Sequence, residues 1–190
     1  MGNLHSFLEK LEHEQNILLE DIPEIDLYMD QVIQLFENKF ADTKRNEEEK
    51  ILTKTMINNY AKGKLLFPIK NKKYSKEHII LISLIYQLKG ALSIKDIQTT
   101  LEGVNKQVVE GDIALDSLYD RYLHLSAENM ENFKDDLQTR MKNELIANDD
   151  EADYLSNVLL IASLVNMSNL YRRAAGKLVD EILEGKSLEK

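Results

Sequence analysis

Residues 53–97 read TKTMINNYAKGKLLFPIKNKKYSKEHIILISLIYQLKGALSIKDI, and their order predicts a helix, a hook and a second helix. Thr53 suits the cap of a helix over about Thr53–Lys62, because its side-chain oxygen can accept an otherwise unpaired first-turn N–H. Met56, Ile57 and Tyr60 share one side of that helix and anchor it in a core. That leaves Lys54, Thr55, Asn58, Asn59 and Lys62 facing outward. Gly63 can take the left-handed conformation and end the helix. Leu65–Tyr74, with Pro68 and the Lys70–Lys73 tip, reads as an extended hook or short hairpin. Ser75 caps a strongly apolar helix running through Leu92. Ser93 starts another, with Asp96 three residues on as in a capping box.

Charge singles out the same stretch. Between Thr53 and Leu92 stand eight lysines (54, 62, 64, 70, 72, 73, 76 and 89) and one acid, Glu77, giving +7. The other 150 residues hold 16 basic and 32 acidic side chains, −16, within a chain total of −9. A cationic surface confined to one small unit is the footprint expected where a protein meets phosphate backbones. Asn58 and Asn59 suit paired hydrogen bonds to adenine, and lysine reaches guanine or phosphate. Thr53 and Thr55 can hydrogen-bond phosphate. Lys70, Lys72 and Lys73 on the hook are placed to contact the backbone beside the groove.

Thr53–Ile97 resembles the winged helix of MerR-type transcription regulators, and Tyr28–Leu101 resembles an uncharacterised bacterial domain family of MerR-like character. The shared order is Ile57 and Tyr60 on a recognition helix, the Leu65-Leu66-Phe67-Pro68 exit, a basic wing Lys70–Tyr74, an aliphatic helix Ile79–Leu88, and Ser93-Ile94 with Ile97. The resemblance implies a recognition helix in the major groove and wing lysines on phosphates. It also implies an unknown small-molecule or protein effector for the region behind the module. MerR-type modules carry Arg-Tyr where Asn58-Asn59 stand here, so that arginine's phosphate role does not carry over. The preceding turn is longer and acidic (Glu47-Glu48-Glu49), and the reading requires it to project away from DNA.

Around this module the chain reads as helical. Glycine (7) and proline (2) are scarce, which favours helices. A first amphipathic helix spans Leu4 to about Ile22, and Asp26 caps the next, with Tyr28, Met29, Val32, Ile33, Phe36 and Phe40 inward. After Gly103 three helical patterns follow, at about Ala114–Leu125, Glu128–Ile146 and Asp153–Leu183, with breaks at Ser126 and Asn148–Asp150. The fold class expected is all-α: an N-terminal helix (1–25), a MerR-like winged helix-turn-helix module (26–103), and a helical regulatory or dimerisation domain (104–190).

Tyr154–Tyr171 is the most apolar stretch, but six Ser or Asn residues interrupt it, so it reads as a buried central helix rather than a membrane span. Leu155, Leu159, Ile161, Ala162, Leu164 and Val165 suit either a partner copy or the core of an intramolecular bundle. No cysteine is present, which excludes disulfides and thiolate chemistry and fits a reducing cytoplasm. No secretory signal or lipid anchor is expected from the N-terminus. His5, Glu9 and His13 share one helix face without an evident fourth ligand, so no metal or cofactor is expected. No nucleotide or nucleophile motif occurs, so neither catalytic residues nor enzyme activity is expected. The reading is therefore a DNA-binding transcriptional regulator acting on double-stranded DNA, with a homodimer expected because two modules double the phosphate contacts. The alternative is an adaptor whose winged helix binds a protein partner.

Overall fold

The computed structural model of the chain describes residues 16–144 and 150–188. The helix expected from Leu4, the His5–Glu9–His13 set and the break expected at Asn148-Asp149 therefore lie outside the described residues. In chain order the elements are β1 (Leu27–Tyr28), α1 (Met29–Lys39), α2 (Lys54–Lys62), β2 (Lys73–Tyr74), α3 (Lys76–Leu88), α4 (Ile94–Glu110), α5 (Leu115–Glu144) and α6 (Asp150–Leu188). The described chain is mostly helical, and its two strands form one antiparallel ladder, Leu27 opposite Tyr74 and Tyr28 opposite Lys73.

The helix at the centre is α3. Ile79, Ile80, Leu81, Ile82 and Ile85 are all buried, and a helix apolar around most of its circumference must be surrounded. Each such side chain contributes about 1.5–3 kcal/mol on leaving water. Buried Ser83 is tolerated there because its hydroxyl donates to the Ile79 carbonyl. Val32 and Phe36 of α1, Ile57 and Tyr60 of α2, Ile97 and Leu101 of α4, and Leu115 and Tyr119 of α5 close around it.

Several sequence expectations need correction. The segment from Asn16 to Ile22 is extended with a single 3-10 turn at Leu19–Asp21, not the end of a long helix. Tertiary contacts hold it so: the Tyr119 hydroxyl donates to the Ile17 carbonyl at 2.7 Å, and Asn16 bonds Ser126, Gln87 and Tyr122. Burial pushes that Tyr119 hydroxyl up to about 12. Asp26 caps nothing; β1 intervenes, and α1 is capped at Tyr28, whose N–H donates to Gln31. In consequence Tyr28 points out rather than in. α3 stops at Leu88, four residues before Leu92.

Ser93 and Asp96 form the expected capping box. The boundary placed at Gly103 falls inside α4, which runs on to Gly111; that glycine takes the left-handed conformation (φ 79°) and ends the helix. Ser126 does not break α5, because its hydroxyl accepts from Asn16. Finally, Tyr154–Tyr171 is not a buried central helix. It packs on α5 through Leu160 and Leu164 against Leu137 and Met141, while Leu155, Leu159 and Ile161 stay about 60% exposed. A two-helix hairpin covers one face of each helix and leaves the other bare. Beyond its contact with α5, α6 also packs against α4, and its Val179 is buried. No helix among the described residues is long and apolar enough to cross a membrane.

Candidate nucleic-acid interface

α2 is a single-faced helix. The Thr53 hydroxyl oxygen accepts from the Met56 N–H at 3.2 Å, so the cap is made as its sequence implies. Ile57 and Tyr60 are buried and Met56 is half-buried, while Lys54, Thr55, Asn58, Asn59 and Lys62 are exposed. Gly63 ends the helix for a different reason than expected. Its φ is −75°, and Lys64 takes the left-handed turn instead (φ 56°). A Cβ on Gly63 would stand 2.7 Å from Leu65 Cδ1 and 3.1 Å from the Asn59 carbonyl oxygen. Leu65 is fully buried and cannot swing away, so close packing is what requires a glycine.

The hook is a hairpin. The Lys73 N–H donates to the Lys70 carbonyl at 2.9 Å, and Asn71 and Lys72 both have positive φ (51° and 59°). Two successive left-handed residues make the turn that suits the strand twist. Asn adopts that conformation readily, whereas Lys does so at a cost of about 1–2 kcal/mol. Lys70 and Lys72 are exposed at the tip, and Lys73 is half-buried with its ammonium 5.2 Å above the Tyr28 ring.

The start of α1 joins hairpin and helix. Tyr28 pairs with Lys73 in the ladder, and two residues later Asp30 accepts an ion pair from Lys54 at 2.7 Å. Lys54 and Lys73 therefore stand on the same edge of the molecule. The acidic connection sits at the other end of α1, about 16 Å away for an 11-residue helix. There Glu37 accepts from Lys44 and from the Ile51 N–H. Glu49 accepts from the Arg45 N–H and faces a cavity of about 670 Å³ that Phe40, Tyr86 and Lys89 also line.

Counting lysines along the chain overstates the exposed charge. Lys76 is tied to Asp116 (3.0 Å) and Glu24 (3.4 Å), and the bond to Asp116 holds its ammonium above the usual lysine range. Lys89 lies 4.2 Å over the Tyr86 ring and donates to the Ile51 carbonyl; burial pushes it down. Neither belongs to the outward cationic face, which reduces to the α2 and hairpin lysines with Lys64.

His78, unremarkable as sequence, locks the hairpin to α3. Its Nδ1 accepts from the Ser75 N–H at 3.1 Å, and its Nε2 meets the Phe67 carbonyl at 3.2 Å, so Nε2 carries the proton. The ring packs 3.9 Å from that of Phe67. Burial lowers its pKa from 6.5. A histidine held neutral in the fold binds its proton more readily when unfolded, so it contributes stability above about pH 6.5 that is lost as pH falls below that value. Thermal melts should therefore drop between pH 6.5 and 5, above the range where the lowered carboxyls of Asp21 and Glu37 titrate. His78→Phe should flatten that interval; an unchanged slope would refute the assignment.

A family profile described as Domain of unknown function (DUF1836) matches residues 17–122. No curated protein and no solved structure matches the chain. The matched span opens at Ile17, which Tyr119 holds, and closes at Tyr122, which packs on the same core. It thus coincides with the body built around α3, including the first two turns of α5, and leaves the rest of α5 and all of α6 outside. With more than half of its residues in that match, and with the matched part forming one continuous core, the chain belongs to the DUF1836 family.

Proposed function

We propose that the protein binds double-stranded DNA as a transcriptional regulator through a MerR-like winged helix. Its α2 enters the major groove while Lys70, Lys72 and Lys73 grip flanking phosphates. One observation carries this reading: the exposed side of α2 and the lysine hairpin meet at a common edge, tied through Tyr28 and Asp30. Thr53, spent as a cap acceptor, keeps its hydroxyl proton for a phosphate. Lys54 exchanges Asp30 for phosphate at little cost, because exposed ion pairs are worth about 0–1 kcal/mol. An effector, if small, fits the cavity between the module and α5.

Lys72 supports the same conclusion. A left-handed lysine costs about 1–2 kcal/mol, and such strain concentrates where function requires the side chain. Lys72→Gly should therefore raise stability to urea by about 0.5–1 kcal/mol, the relief of strain less the entropy of glycine, while weakening DNA binding. A destabilised variant would show the turn unstrained.

The decisive experiment is retention of genomic fragments at low salt, followed by sequencing of what is held. Roughly four phosphate contacts give a log–log salt slope of about −3.6 per module, doubled in a dimer. Failure to retain DNA at 50 mM salt, with capture of an acidic protein by the same face, would establish the adaptor instead.

A further inference from the structure

Tyr28 is a large ring left in water between two residues that are not. Leu27 is buried and Met29 packs on the core, while Tyr28 stays 55% exposed and takes no part in that core. The pleat explains its direction, because successive side chains of a strand point to opposite faces. Leu27 and its ladder partner Tyr74 turn in, so Tyr28 and its partner Lys73 turn out. Lys73 also pairs with Lys70 across the hairpin turn. Residues directly opposite one another in antiparallel strands share a face and stand about 5 Å apart. Tyr28, Lys73 and Lys70 therefore form a row about 10 Å long on the outer face of the ladder.

Resting on the DNA reading above, we infer that Tyr28 is a further contact residue, its hydroxyl donating to a backbone phosphate that the same row holds. Its ring lies under the Lys73 ammonium, 5.2 Å from the centroid. The negative face of an aromatic ring attracts a cation, so a flexible lysine is aimed outward before DNA arrives. The Tyr28 hydroxyl donates to no side chain among the described residues. A phenol is an uncharged donor of the kind that meets phosphate oxygens. Two residues on, Asp30 holds Lys54 of α2 at 2.7 Å, so Tyr28 lies between the hairpin lysines and the outward face of α2. A sugar–phosphate strand that touches both crosses Tyr28 on the way.

Anisotropy of a labelled duplex from the genomic selection, titrated at several salt concentrations, tests this contact. Tyr28→Phe keeps the ring beneath Lys73 and removes only the donor. It should weaken binding about 10-fold, the usual worth of a hydrogen bond to a charged group. The log–log salt slope should not change, because a phenol releases no counterion. Tyr28→Ala should lose about 2–5-fold more as the ammonium loses its ring. Urea midpoints of both variants should match the parent's, since the ring lies outside the core. The chain has no tryptophan, so Tyr28→Trp adds a single indole whose emission should change as duplex is added.

Equal affinity of Tyr28→Phe and the parent would overturn the inference and leave the DNA reading intact. So would an indole that stays silent in a complex that anisotropy shows to have formed. A salt slope that falls by about 0.9 in Tyr28→Phe would show the residue acting only through Lys73, and would overturn the hydroxyl contact. A parent chain that holds no duplex at low salt would sink the DNA reading itself, and this contact with it.

Discussion

Replacing Lys70, Lys72 and Lys73 together by Glu lowers affinity for duplex DNA by about 10²–10³-fold at 0.1 M salt. The magnitude follows from counterion release. Each phosphate contact adds about 0.9 to the log–log salt slope, so losing three contacts shifts affinity by roughly 2.7 decades relative to 1 M salt. The slope itself should flatten by about 2.7 in the same titration, a signature that misfolding does not produce. Folding should survive, since Lys70 and Lys72 point into water and Lys73 gives up only its contact over Tyr28, about 0.5–1 kcal/mol. Lys95→Glu, an exposed residue on α4, serves as the control for net charge and should change affinity far less. Fluorescence anisotropy on a fragment recovered from the genomic selection measures both. Equal binding by parent and triple variant would remove the hairpin from the interface.

Phe36→Ala should cost about 3–5 kcal/mol, the usual range for emptying a buried aromatic site. Phe36 is fully buried and packs against two rings, Phe40 at 6.0 Å and Tyr86 at 6.2 Å. Both neighbours are themselves fixed: Phe40 stacks at 4.6 Å on Tyr86, over which Lys89 lies. The site therefore has little freedom to collapse, which puts the cost toward the upper end. A loss of that size is a large share of the ~5–15 kcal/mol that stabilises an ordinary domain. Urea denaturation should show the midpoint falling sharply, whereas Ile25→Ala, at a 69% exposed position, should move it by no more than about 0.5 kcal/mol. A small effect at Phe36 would mean the ring cluster is not packed as described.

Local signals were readable in proportion to how locally their causes act. The Thr53 cap, the Ser93–Asp96 box and the outward set on α2 depend on neighbours within four residues, and sequence spacing carried them correctly. Lys72 at positive φ is not legible in the sequence, because Lys does not announce a left-handed turn as Asn-Gly does; the two-residue turn between the paired Lys70 and Lys73 requires it. The role of His78 is hidden in the sequence for a similar reason. Its partner Phe67 lies eleven residues away, and only the hairpin's return brings the two together. Nor could lysines be sorted by sequence into exposed and tied, since Glu24 and Asp116 reach Lys76 from opposite ends of the core.

Composition and periodicity, acting alone, settled that this chain is helical, that α3 is apolar all round, and that positive charge gathers in one 40-residue stretch. These are properties of residues and of near neighbours. Tertiary packing decided which apolar helix is central. The segment with the longest apolar pattern had only α5 to lie against and kept its far side in water, whereas α3 was enclosed by four helices and a hairpin. Burial is a relation between segments distant in the chain, and no window of sequence contains both partners.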